Sequence, residues 1–192
     1  MMLLANRNGT PIARPSRLFM YYNARAAAGD QRRDDGTTVR TAVKAAARFG
    51  ACTESQWPYL SKSVLRKPPA RCYRSAEVRT ILYERISRKL DHLRACLAQG
   101  DPFVFGIQAY PIPFTHAQTS GMLELPKAGT QPMGGHALVV VGYDTKHRAF
   151  FARNSLGAKY AHNGFFWVRE GYFTDPQLSY DFWRITGFEP GP

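Results

Sequence analysis

Apolar residues follow two different rhythms along this chain, and the change falls near Gly100. In PSRLFMYYNARAAAG (15–29), Leu18, Tyr21, Tyr22 and Arg25 recur at the i, i+3, i+4, i+7 spacing of one helical face. Ser16 is placed to cap that helix and Gly29 to end it. A second stripe, Val39, Ala42, Val43 and Ala46, predicts a helix over 38–49 stopped by Gly50. Ile86, Leu90, Leu93 and Leu97 predict a third that ends near Gly100. Between these two, a Trp57-Pro58-Tyr59 turn and a Pro68-Pro69 break predict a loop. Downstream the rhythm shortens: PFVFGIQAY (102–110), HALVVVGYD (136–144), AFFARNS (149–155), GFFWVRE (164–170) and DFWRITGF (181–188) are aromatic and β-branched runs divided by Gly, Asp and Asn. Each predicts a strand. Helices first and strands afterwards predict an α+β fold of two lobes, residues 1–100 helical and residues 101–192 β-rich.

Composition supports a folded chain. A hydrophobic fraction of 44% with 13% aromatics supplies enough apolar area to offset the entropy of ordering 192 residues. The net charge of +12 is confined to the first 100 residues, which hold 19 Lys and Arg against 7 acids, whereas the remainder is balanced at 7 and 7. A basic half has affinity for polyanions in principle. No nucleic-acid-binding signature accompanies it, so the charge reads as solvated helix faces and no specific nucleic-acid partner is expected. No run of 18 apolar residues is present, so no membrane association is expected. Met1 to Ala5 is too short an apolar stretch for an export signal, which makes the cytoplasm the default compartment. Cys52, Cys72 and Cys96, spaced by 20 and 24, fit no zinc pattern and allow at most one disulfide.

The chain lacks GxSxG, HExxH, GxxxxGK[ST] and GxGxxG, which removes serine hydrolases of the elbow type, zinc proteases and the common nucleotide-binding classes. No metal or cofactor is expected. In GGHALVVVGYD (134–144), Gly134 and Gly135 leave His136 open to close approach, and the apolar run behind holds the ring on a rigid strand. A histidine at a strand start is by itself more often structural. Asn154, at the end of the next strand, changes that reading, because a hairpin across Asp144 to Arg148 lets its amide meet the imidazole and orient it. His92, His116, His147 and His162 lie in polar contexts and read as surface residues.

GGHALVVVGYD, FFARNSLG and GFFWV, in that order, resemble the His and Asn signature of papain-like cysteine peptidases. PSRLFMYYNAR, GACTESQWPY, CLAQGDPFVFGI and DFWRI resemble further segments of a bacterial branch of that family, so the likeness runs from about residue 6 to 188. The resemblance implies one papain-like catalytic domain with a helical N-terminal lobe and an antiparallel, β-barrel-like C-terminal lobe. It implies a peptide or protein substrate, His136 as general base and Asn154 as the amide that orients it.

In the family the nucleophilic cysteine precedes the His and Asn by roughly 130 to 150 residues. Counting back from His136 reaches the chain start, and no cysteine occurs before Cys52. MMLLANRNGTPIARPSRLF resembles the tail of the helix that begins at that cysteine. The resemblance thus implies an incomplete helical lobe, a nucleophile and oxyanion Gln upstream of Met1, and no peptidase activity for the chain as given. Cys52 matches a non-catalytic segment and is expected to pack or to bridge Cys72, and Cys96 to be buried and inert. Leu156 stands where the family pattern has the Trp of NSWG, and is expected to shield the His and Asn less well. An alternative reading is a catalytically dead relative that binds peptides or proteins, and a third is a binder of nucleic acid through the basic half.

Overall fold

The computed structural model describes residues 2–9, 11–76 and 78–190. Two compact units divide the chain, residues 1–84 with 185–192 and residues 85–184. The expected boundary near residue 100 falls inside the second of these, between its first helix and its first full strand.

The first unit holds α1 (Met2–Arg7), α2 (Arg17–Ala28), α3 (Val39–Phe49), α4 (Ala70–Arg74) and most of strand β1 (Val78–Arg85). The local chemistry of the two longer helices follows the sequence closely. Ser16 Oγ accepts the Phe19 N–H at 3.1 Å, and Gly29 closes α2 in the left-handed region at φ 83°. Thr38 caps α3, and Val39, Val43, Ala45 and Ala46 form its buried face. Arg40, Lys44 and Arg48 repeat every four residues on the exposed side of α3, which is where part of the basic excess resides. Phe19, Ala51, Cys52 and Cys72 form a small core with Met20, Phe49, Trp57 and Tyr73 packed around it. Arg25 is fully buried, yet it donates to the carbonyls of Arg33 and Val64 and lies 4.1 Å over the Tyr21 ring.

The second unit holds α5 (Leu90–Ala98), β2 (Phe103–Ala109), α6 (Pro111–Ser120), β3 (Met122–Leu123), β4 (Gly134–Asp144), β5 (Ala149–Arg153), β6 (Phe165–Arg169), α7 (Gly171–Thr174) and the first part of β7 (Ser179–Pro190). All five expected strands are present. Strand order across the sheet is β1-β7-β2-β4-β5-β6-β3. The fold is α+β as expected, and its sheet is mixed and open: β3 runs parallel to β6, and among the described residues the two end strands of the order do not pair. The reason is local. The chain leaves β2 through α6 and returns as a strand of only two residues, which satisfies one edge of β6 and is too short to template another strand.

Five elements were not foreseen, namely β1, α4, α6, β3 and α7. In β1 the sequence VRTILYER carries three charges among its eight residues, which masks its strand character. In α6 two prolines fall in the first turn of PIPFTHAQTS, where they are tolerated because those N–H groups have no helical partner. Ile86 lies outside α5, which begins only at Leu90. One face of the sheet carries the core: Phe103, Phe105, Ile107, Leu138, Val140 and Phe150 are each no more than 1% exposed.

Candidate active site

His136 belongs to that core face but lies at its end. Strands β2 and β4 pair so that Phe103 faces Val140, Phe105 faces Leu138 and Ile107 faces His136. Alternate residues of a strand share a face, so the buried Leu138 and Val140 fix the direction of a half-buried imidazole. The strand starts at Gly134, whose φ of 139° is one that L side chains rarely adopt, while the preceding Met133 N–H is held by the Ala109 carbonyl at 2.8 Å.

Gly135 has a different role. A Cβ there would lie 2.6 Å from the Tyr180 hydroxyl, and one at Gly106 would lie 2.4 Å from the Tyr180 ring. Both positions are on the face opposite His136, so the glycines form a slot for the phenol beside the strand that carries the imidazole. Tyr180 is aimed into it where the β2–β7 register shifts between Val104 and Gly106, next to Asp181 in the left-handed region at φ 61°. Burial raises the phenol pKa, and the neighbouring Asp181 adds to the effect. Tyr180 was missed in the sequence, although an isolated glycine inside FVFGIQA is a signal of close approach.

Asn154 reaches His136 diagonally. The β4–β5 register sets Val139 against Arg153, which places Asn154 across from Leu138 and two residues along from the histidine. Its Oδ1 lies 2.9 Å from His136 Nε2 and also accepts the Ser155 N–H at 2.8 Å. A backbone N–H can only donate, so the atom it meets is the amide oxygen, and the histidine contact is then Nε2–H donating to that oxygen. The imidazole is left with its Nδ1 lone pair for another group.

The segment after Asn154 is held at several points. Asn154 N–H donates to Gly164 O at 2.8 Å, Gly164 N–H to Tyr160 O at 2.7 Å, and the Tyr160 hydroxyl to Phe114 O at 2.8 Å. Phe114, from α6, presents its ring edge-on to His136 with centroids 5.9 Å apart. The imidazole is therefore fixed by an amide at one side and an aromatic ring at another. Asn154 is only 6% exposed, and its Nδ2 is buried without a hydrogen-bond partner. An unsatisfied buried donor costs about 1 to 3 kcal/mol, so the geometry of the pair is kept at some expense of stability.

Leu156 does not behave as a cover. It is 60% exposed and lines, with Phe114, Met133, Lys159 and Tyr160, a depression of about 380 Å³. Asn154 stays buried although its neighbour two residues on is mostly in solvent.

The three cysteines lie elsewhere. Cys52 and Cys72 are fully buried in the small core of the first unit. Cys96 is 4% exposed in the core of the second, with its thiol donating to Asp101 O at 3.3 Å. His92, His116, His147 and His162 are all exposed. No three His, Cys, Asp or Glu side chains converge as metal ligands among the described residues.

A strand-borne histidine, an asparagine just past the end of the adjacent strand and the surrounding sheet order define a class, and sequence comparison agrees on which. Residues 30–179 match the profile of the papain family cysteine proteases, so the chain belongs to that family. It is 34% identical over 181 residues to an uncharacterized peptidase C1-like protein of Acanthamoeba polyphaga mimivirus, covering 89% of this chain and 58% of that protein. The chain thus spans little more than half the length of this curated relative. Among solved structures it is similar to xylellain, a cysteine protease from Xylella fastidiosa, with a TM-score of 0.87 and 34% identity over 96% of this chain and 75% of the other. Digestive procathepsin L 3 of Tenebrio molitor larval midgut shares the fold at a TM-score of 0.69 and 17% identity, with 99% of this chain and 59% of that one covered. One relative is viral and another bacterial, so the likeness is not confined to a bacterial branch.

Proposed function

We propose that this chain carries the base and the orienting amide of a cysteine peptidase that hydrolyses peptide bonds, with His136 as general base and Asn154 as the positioning residue. The observation that carries the reading is the single amide oxygen shared by His136 Nε2 and the Ser155 N–H. It leaves Nδ1 as the nitrogen that takes a proton from a thiol. The thiolate then adds to the substrate carbonyl carbon, and the imidazolium returns the proton to the departing amine as the C–N bond breaks. Water, deprotonated by the same nitrogen, hydrolyses the thioester and regenerates the thiol.

The attacking thiol is none of the three cysteines of this sequence. Burial, and next the Cys72 thiol, push the Cys52 thiol up to about 12, whereas a nucleophile of this kind needs a depressed value. Cys96 is buried and committed to the Asp101 carbonyl. The thiol is supplied from outside these 192 residues, and the chain by itself hydrolyses no peptide. The test is hydrolysis of an internally quenched peptide library by this chain and by the longest form isolated from its source. Turnover by the long form alone, lost on His136→Ala, is expected. Turnover by this chain that disappears on Cys96→Ala or Cys52→Ala overturns the assignment of the thiol.

A further inference from the structure

Cys52 and Cys72 are each fully buried, and they meet within one four-residue core, with Phe19 and Ala51 as the other members. They are packed near enough for the Cys72 thiol to add to the effect of burial in raising the Cys52 thiol. The backbone on both sides is already held. Cys52 O accepts the Ser16 N–H at 2.8 Å, and the segment that follows it is tied to the end of α4 by Ser75 Oγ donating to Gln56 Oε1 at 3.1 Å. Tyr73, next to Cys72, packs its ring against Phe19 with centroids 4.9 Å apart and planes tilted by 57°, and donates its hydroxyl to Asn23 Oδ1 at 3.0 Å. Both are free thiols in this structure, packed in one small core on segments that independent hydrogen bonds hold, which is the placement a cross-link between them requires.

We infer that Cys52 and Cys72 are a covalent cross-linking site, oxidised to a structural disulfide that ties the segment following α3 to α4, with Cys96 left as the single thiol. The oxidant is a disulfide-bearing small molecule or protein. One cysteine thiolate attacks it to form a mixed disulfide and expels a thiolate, and the second cysteine displaces the other half. Two protein thiols become one disulfide, and the oxidant leaves as two thiols. Burial decides when this happens. Neither sulfur is open to a solvent oxidant in the folded chain, so the bridge closes while the chain folds and is shielded from exchange afterwards. It is a permanent staple of the first unit, of the sort that chains acquire in an oxidising compartment.

The experiment is refolding of the 192-residue chain in a mixture of oxidised and reduced glutathione. Denaturation in urea with iodoacetamide, without reductant, and measurement of intact mass and peptide map follow. One adduct, on Cys96, and a linked peptide containing Cys52 and Cys72 are expected, rising to three adducts after prior reduction. Three adducts without reduction, or a linked peptide containing Cys96, overturns the inference. The Cys96→Ala variant, handled in parallel, is expected to give no adduct before reduction and two after it. Two adducts before reduction in that variant count equally against the bridge.

Discussion

His136 Nε2, on β4, and Asn154 Oδ1, just past the end of β5, stand 2.9 Å apart, and the same oxygen accepts the Ser155 N–H. The second contact removes the amide's freedom to flip and so determines which imidazole nitrogen stays bare. Replacing Asn154 by Ala deletes a hydrogen bond that becomes charge-assisted when the imidazole is protonated. At about 1.5 to 3 kcal/mol, kcat/KM of the thiol-containing enzyme falls roughly 10- to 150-fold. Asn154→Asp places a carboxylate beside the imidazole, and the alkaline limb of the pH–rate profile moves upward. Both follow from initial rates on one quenched peptide.

Tyr180 fills the slot over Gly106 and Gly135, and neither glycine has room for a methyl group. Gly106→Ala, which meets the body of the ring, costs about 1 to 3 kcal/mol, as overpacking usually does, and Gly135→Ala, which meets only the hydroxyl end of the side chain, costs less. Combining either with Tyr180→Ala removes the obstacle, so the double variant loses less than the sum of the single ones. Urea unfolding of the four proteins of each cycle measures the coupling.

Glu170 is 5% exposed and is held by Arg94 and by Arg148, the latter at 3.2 Å. Arg94 is itself three-quarters covered. Glu170→Ala leaves that guanidinium without its buried counter-charge and destabilises the chain by roughly 3 kcal/mol. Glu124→Ala also removes a pair, with Arg169, but an exposed one, and changes stability by less than about 1 kcal/mol.

Burial alone would raise the Glu54 carboxyl, but hydrogen bonds from the Arg17 side chain, the Arg17 N–H and the Tyr59 N–H overcome it and hold the group below the ordinary carboxylate range. A depressed folded value stabilises the native state above the ordinary carboxylate pKa, and the benefit is lost as pH falls through the depressed value. Stability of the wild type therefore declines on acidification through this range, and Glu54→Gln shows a shallower decline. Thermal midpoints at a series of pH values from neutral downward test the difference.

The sequence by itself determined the elements whose signals are local. Ser16, Gly29, Thr38 and Gly50 punctuate α2 and α3 because caps act within one helical turn, and the five apolar runs after Gly100 became strands because each is an aromatic and β-branched run bounded by turn residues. His136 and Asn154 were legible for a similar reason, since a short hairpin joins their strands and its register follows from the turn. What only the tertiary structure decided depends on residues distant in the chain. The parallel placement of β3 on β6, the burial of Arg25 between two carbonyls and the contact of Cys52 with Cys72 arise from packing that no local window contains. Tyr180 illustrates the point: it occupies space left by glycines on two other strands, and only the assembled sheet brings the three together.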